Sequence, residues 1–163
     1  RVSAAKPKIA DYPFTTLTPN LGVVKYKNYG TFVIADIPGL IEGAHRGVGL
    51  GTRFLRHVER TAVLVHLLDI SGEERVSGWH NFETINRELE LYDPALAKKP
   101  QVVAIGKADL PETRDRAKKE IDFFKRKGIE VFLISAVTGE GVDALIAAVV
   151  KKLQRDEREE YEH

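Results

Sequence analysis

The sequence predicts an α/β fold, a doubly wound and mostly parallel sheet with one antiparallel strand at its edge. Three observations carry that prediction. Short apolar runs alternate with segments of helical period. A hairpin-like pair of runs comes before the alternation. Several runs end in acidic or small residues, and in such sheets ligands sit beyond the carboxyl ends of the strands.

Leu21–Tyr26 and Thr31–Asp36 flank the turn Lys27–Gly30, whose Asn and Gly suit a reversal, so this pair is the hairpin. A glycine-rich stretch, Gly39–Gly51, leads into a short helix over Thr52–Arg60. Ala62–Asp69 (AVLVHLLD) is a continuous apolar run ending in Asp, the pattern of a strand covered on both faces. Trp79–Tyr92 repeats apolar residues at Phe82, Ile85, Leu89 and Tyr92, a helical stripe. Gln101–Ile105 is a second buried strand, and Glu112–Lys127 is a helix with Ala117, Ile121 and Phe124 on one face and Gly128 as its stop. Glu130–Ser135 is the last strand. Val142–Arg155 is the last helix, followed by a charged, frayed tail over 156–163.

The length of 163 residues suits one compact domain, with residues 1–155 as its body. A net charge of +1 offers no general case for nucleic-acid binding, which needs a basic excess or a clustered face. The absence of cysteine excludes disulfides and thiolate metal sites and fits a reducing compartment. No apolar stretch reaches the ~18–20 residues that span a bilayer. The N-terminus lacks the apolar core of a secretory signal. The sequence also has no methionine, which marks it as a fragment or a processed form.

The sheet rule directs attention to Asp36, Asp69, Gly106 and Ser135 onward. Asp36-Ile37-Pro38-Gly39 places a carboxylate at a strand end, where it can hold a water on Mg²⁺. The glycine after it can offer its N–H to a terminal phosphate. In isolation this motif reads more readily as a plain Asp-Pro-Gly turn. Gly106-Lys107-Ala108-Asp109 offers a carboxylate able to accept two hydrogen bonds from one edge of guanine, which adenine cannot supply, and a lysine stem to lie over the base. Ser135-Ala136-Val137 is small enough for backbone N–H groups to approach the base oxygen. Upstream, Phe14-Thr15-Thr16-Leu17-Thr18 offers a threonine hydroxyl for Mg²⁺ in a Pro-bounded loop of the kind that triphosphate orders and hydrolysis releases. Each motif alone is weak. Their order, each at a place the sheet predicts, is specific.

Ala5–Val24, Ala35–Thr61 and Ile134–Leu145 resemble the GTPase domain of the Obg (CgtA) family, and the likeness covers nearly the whole chain. The resemblance implies a P-loop-NTPase G domain. Phe14–Thr18 would be the first switch, with Thr16 as the Mg²⁺ ligand. Asp36 would hold Mg²⁺ through water, Gly39 would sense the γ-phosphate, and Gly43–Gly51 would be the second switch. Lys107 and Asp109 would bind guanine, with Ser135–Val137 closing over it. The implied activity is hydrolysis of GTP to GDP, the implied partner the large ribosomal subunit during its assembly, and the implied setting a cytoplasmic monomer. Leu40 stands where small signalling GTPases carry a catalytic glutamine, so hydrolysis is expected to be slow and no general base is identified. His45 reads as a solvated loop residue, His57 and His66 as structural, and Arg46 and Arg53 as surface residues.

Two departures from the family bear on this. No G-x-x-x-x-G-K-[ST] occurs, so the phosphate loop and the first strand, central in the family's sheet, are expected upstream of Arg1. Gly106 stands where the family has Asn, which removes a carboxamide from the guanine motif. Both departures leave room for another reading, a degenerate GTPase-like module that binds protein partners and no nucleotide. The preserved Thr16, Asp36, Gly39, Lys107 and Asp109 argue for the enzyme. A flavodoxin-like receiver has no role for the threonine loop.

Overall fold

The structure is a computed structural model that describes residues 2, 20–36, 51–72 and 77–161. The chain falls into two compact units, Arg1–Thr61 with Ile85–Lys98, and Ala62–Thr84 with Lys99–His163. Each has its own sheet.

In the first unit, β1 (Asn20–Tyr26) and β2 (Gly30–Asp36) form an antiparallel two-stranded sheet closed by a 3-10 turn, Lys27–Tyr29. The register runs from Tyr26 opposite Gly30 to Asn20 opposite Asp36, which sets Asp36 at the open end of the ladder. Gly30 turns the chain at φ 102°, a conformation that side chains disfavour. Helix α1 (Gly51–Glu59) buries Leu55 and Val58, three residues apart and so on one face.

In the second unit, β3 (Leu64–Leu68), β4 (Gln101–Ile105) and β5 (Val131–Leu133) form an all-parallel sheet in the order β3-β4-β5. The antiparallel pair is hydrogen-bonded as a sheet of its own among the described residues, not as an edge of this one. Helix α2 (Gly78–Tyr92) precedes β4, and a short helix α3 (Pro94–Ala97) follows α2. Helical period does not reveal α3, although its start is in the sequence: the Asp93 carboxylate accepts from the Ala95 N–H at 2.9 Å and Pro94 takes the first helical position. Helix α4 (Pro111–Arg126) joins β4 to β5, and helix α5 (Val142–Tyr161) ends the description. α5 therefore continues past Arg155 into the segment expected to fray.

One face of the parallel sheet presents Leu68, Val103, Ile105, Val131 and Leu133 to Ala117, Ile121 and Phe124 of α4 and to Trp79 and Phe82 of α2. Aromatic edges lock this core, with Trp79 and Phe82 ring centroids 5.1 and 5.5 Å from Phe124. β4 is buried on both faces, as its apolar run predicts. β3 is not. His66 and Leu68 are buried, whereas Val65 and Leu67 on the opposite face are 43% and 66% exposed. His66 packs edge-on to Phe82 at 4.9 Å, a structural role as expected. Burial holds its imidazole near pKa 4, against a weaker opposing pull from Gln101, so it is neutral at pH 7.

Candidate functional site

The carboxyl ends of β3, β4 and β5 lie side by side, and the loops leaving them form one polar corner of the second unit. The β4 loop is its centre. The Gly106 N–H still donates to the Leu68 carbonyl at 3.0 Å, extending the ladder one residue past β4. Lys107 then enters the left-handed region at φ 61°, which reverses the chain. The reversal buries Ala108, whose N–H donates to the Ile134 carbonyl at 2.9 Å, and leaves Lys107 and Asp109 exposed on either side of it.

The two charged side chains part towards opposite neighbours. The Lys107 ammonium reaches the β3 end, 2.7 Å from Asp69 Oδ2 and donating to Ser71 Oγ at 2.9 Å. The Ser71 N–H and hydroxyl both donate to Asp69 Oδ1, at 2.9 and 2.6 Å. Together these bonds bring the Asp69 carboxyl down to about 2, with Lys107 the largest cause. Asp109 turns to the β5 end, where the buried Ser135 hydroxyl donates to Asp109 Oδ1 at 2.6 Å. That bond is the main reason the Asp109 carboxyl lies below its ordinary range.

The β5 loop is folded tightly against the strand it leaves. Ser135 Oγ also accepts the Thr138 N–H at 3.1 Å, the Ser135 N–H donates to the Glu140 carbonyl at 3.0 Å, and the Gly139 N–H donates to the Ser135 carbonyl at 2.8 Å. Gly139 and Gly141 have φ of 84° and 71°. At Gly141 a Cβ would overlap the Leu133 carbonyl oxygen, so this turn requires glycine. This is also why β5 stops at Leu133 rather than at Ser135. Ala136 and Val137 project from the loop exposed, Val137 at 73%.

Arg114 of α4 joins the two loops. Its guanidinium makes a two-point contact with Glu140 at 2.6 and 3.0 Å, and one of those nitrogens also donates to the Ala108 carbonyl at 2.9 Å. Glu140 is held below, and Arg114 above, the ordinary range by their shared hydrogen bonds.

Of the residues predicted for the site, Gly106, Lys107, Ala108, Asp109, Ser135, Ala136 and Val137 stand together in this corner. Asp36 ends β2 in the other unit with its side chain exposed. Phe14, Thr15, Thr16, Leu17, Thr18, Ile37, Pro38 and Gly39 lie outside the described residues, as does the glycine-rich stretch before Gly51. Among the described residues, no group of three or more histidines and carboxylates is placed to hold a metal. Sequence reasoning assigned no role to Asp69, Ser71, Arg114 or Glu140. Asp69 carried a signal, an acidic residue closing an apolar run. Arg114 and Glu140 carried none, since 26 residues separate them.

A profile of the 50S ribosome-binding GTPases matches residues 1–107. GTPase Obg of Syntrophus aciditrophicus (strain SB) is 57% identical over 164 residues, covering 100% of this chain and 48% of that protein. GTPase Obg of Desulforudis audaxviator (strain MP104C) is 59% identical over 154 residues, covering 94% of this chain and 36% of that protein. This chain belongs to the Obg GTPase family. The chain spans half or less of the length of these Obg relatives. Among solved structures, the G domain of the T. maritima iron transporter FeoB matches with TM-score 0.65 at 22% identity over 93% of this chain and 86% of that one. A variant of Aquifex aeolicus Era, solved with GDP.AlF4-, matches with TM-score 0.62 at 22% identity over 84% of this chain and 45% of that one. At that identity the two share a fold with this Obg chain, the P-loop GTPase fold.

Proposed function

We propose that the polar corner is the guanine-reading half of a GTP-binding switch, and that the protein hydrolyses GTP to GDP. The observation that carries this is the Asp109 carboxylate, exposed, ionised and aimed by a buried hydroxyl. A fixed acceptor pair matches the N1–H and 2-amino donors of guanine. Adenine presents an acceptor and a C–H there, so it leaves the carboxylate unpaired, and a site built to be hydrogen-bonded rejects such an analogue strongly. Lys107 flanks the carboxylate with an aliphatic stem for the base plane, and the backbone N–H groups of the exposed Ala136 and Val137 follow Ser135 towards the base oxygen.

In this reading Asp36 holds Mg²⁺ through water and Thr16 of the Phe14–Thr18 loop ligates it directly. The fit is consistent with Asp36, an exposed carboxylate at a strand end. A single outer carboxylate is what a magnesium ion shared with nucleotide phosphates and waters needs, because Mg²⁺ keeps much of its hydration shell. When bound, the ion neutralises charge on the β- and γ-phosphates. Gly39 reports the γ-phosphate, and residues 1–155 act as the GTPase domain. Leu40 supplies no group to orient the attacking water, so turnover is slow. The family's description as 50S ribosome-binding supports a large-subunit partner, and the reading takes the protein to act as a monomer in the cytoplasm. Among the described residues no helix is long and apolar enough to cross a membrane.

Calorimetry with GDP and ADP tests the proposal. Binding of GDP with no measurable binding of ADP is expected. Gly106, which lacks the motif's carboxamide, favours a second reading, a module without nucleotide. Absence of GDP binding by the full-length protein would establish that reading instead.

A further inference from the structure

We propose that Asp69 and Ser71, at the end of β3, are positioning residues of the nucleotide site that hold Lys107 as one wall of the base slot. The inference rests on the guanine-binding reading above.

Three observations lead to it. The β4 loop lies between two neighbouring strand ends, and its two charged side chains are tied to opposite ones: Lys107 to Asp69 and Ser71, Asp109 to Ser135. Each of the two side chains is therefore anchored, one at the β3 end and the other at the β5 end. Next, the Lys107–Asp69–Ser71 contacts form a closed ring in which Asp69 Oδ1 takes two hydrogen bonds from Ser71 and Oδ2 takes the ammonium. Both charged groups are more than half exposed, so the pair adds little to folding. What such a ring changes is direction: a free lysine samples many rotamers, and one tethered at its tip samples few. Finally, Gly106 has no side chain, so the β4 loop has no amide of its own there with which to brace the slot. The neighbouring strand supplies the polar anchor, acting on Lys107 without touching the base.

The test is a double-mutant cycle read by GDP binding in the full-length protein, using Asp69→Ala, Lys107→Met and the pair together. Asp69→Ala is expected to weaken GDP by about fivefold to twentyfold while its melting temperature stays within about two degrees of wild type. Lys107→Met is expected to weaken GDP at least as much, and adding Asp69→Ala to it is expected to change nothing, because Asp69 acts only through the lysine. Ser71→Thr, which keeps the hydroxyl, is expected to bind like wild type, and Ser71→Ala to weaken GDP by about threefold. Unchanged GDP affinity in Asp69→Ala, or losses that multiply in the pair, would overturn the inference while leaving guanine binding intact. A wild-type protein that does not bind GDP would overturn the guanine reading itself, and this inference with it.

Discussion

The loops at the ends of β3, β4 and β5 and the hairpin β1–β2 are both predicted to serve one nucleotide, yet they are built differently. The loops grow from strands packed on a buried aromatic core, and each functional side chain there has a fixed partner: Lys107 has Asp69, Asp109 has Ser135, Arg114 has Glu140. The hairpin is a two-stranded ladder in which Val24 is buried while Leu21, Val23 and Val33 are about half exposed or more, and Asp36 closes its open end. A base keeps the same shape in GTP and GDP, so a preformed reader suits it. The γ-phosphate comes and goes, so the residues proposed to answer to it face a different task from the base reader.

Glycine substitutions probe this contrast with the largest expected effect. Gly141→Ala places a Cβ onto the Leu133 carbonyl at φ 71°, and a stability loss of at least about 3 kcal/mol is expected by chemical denaturation. Gly30→Ala in the hairpin also meets a positive φ, but nothing stands within 4 Å, so only backbone strain of about 1–2 kcal/mol is expected. Equal losses would mean that the two regions are equally tightly packed.

Asp109→Asn keeps the size of the side chain but turns one acceptor into a donor. GDP affinity is expected to fall on the order of a hundredfold, with xanthosine diphosphate, which carries an oxygen in place of the 2-amino group, now binding better than GDP. Competition binding measures both. Loss of guanine binding without a gain for xanthine would show that Asp109 serves the fold of the corner and does not read the base.

The core under the corner has its own pH signature. His66 is held near pKa 4 in the fold and returns to about 6.5 when unfolded, so the unfolded chain takes up the extra proton between those values. Its contribution favours the fold above pH ~6.5 and is lost as pH falls towards 4, costing about 2–3 kcal/mol between pH ~7.5 and pH ~4.5. Denaturation at both values, in wild type and His66→Leu, should show this part of the slope vanish in the variant. An unchanged slope would place the acid sensitivity elsewhere.

The smallest effect is a gain. A Cβ at Gly106 would meet Leu67 Cδ1 at 3.5 Å and the Leu68 carbonyl at 3.9 Å, ordinary contacts. Gly106→Asn is therefore expected to leave stability unchanged and to tighten GDP binding about threefold to tenfold, one added hydrogen bond's worth. Weaker binding would mean that the corner is arranged around the missing side chain.

Much of this was legible in residue order alone. Apolar runs interrupted by helical periods located each of β3, β4 and β5 to within a few residues, because burial of a strand or a helical stripe leaves a periodic trace in the chain. The strand-end rule located Gly106–Asp109 and Ser135–Val137, because parallel strands deliver their ends to one side whatever the details of packing. α5 runs past Arg155 to Tyr161, since a highly charged segment reads as a tail when its helical bonds are invisible, and the one capped turn of α3 is too short to show a period. Only tertiary structure decided the partners. Nothing in the chain's order says that Lys107 turns to β3 and Asp109 to β5, or that Arg114 spans both loops, because hydrogen bonds between residues distant in sequence depend on which strands lie side by side. The same holds for β3, whose apolar run is read as buried on both faces, yet whose Val65 and Leu67 are exposed. Sequence records how apolar a residue is, and only packing determines what covers it.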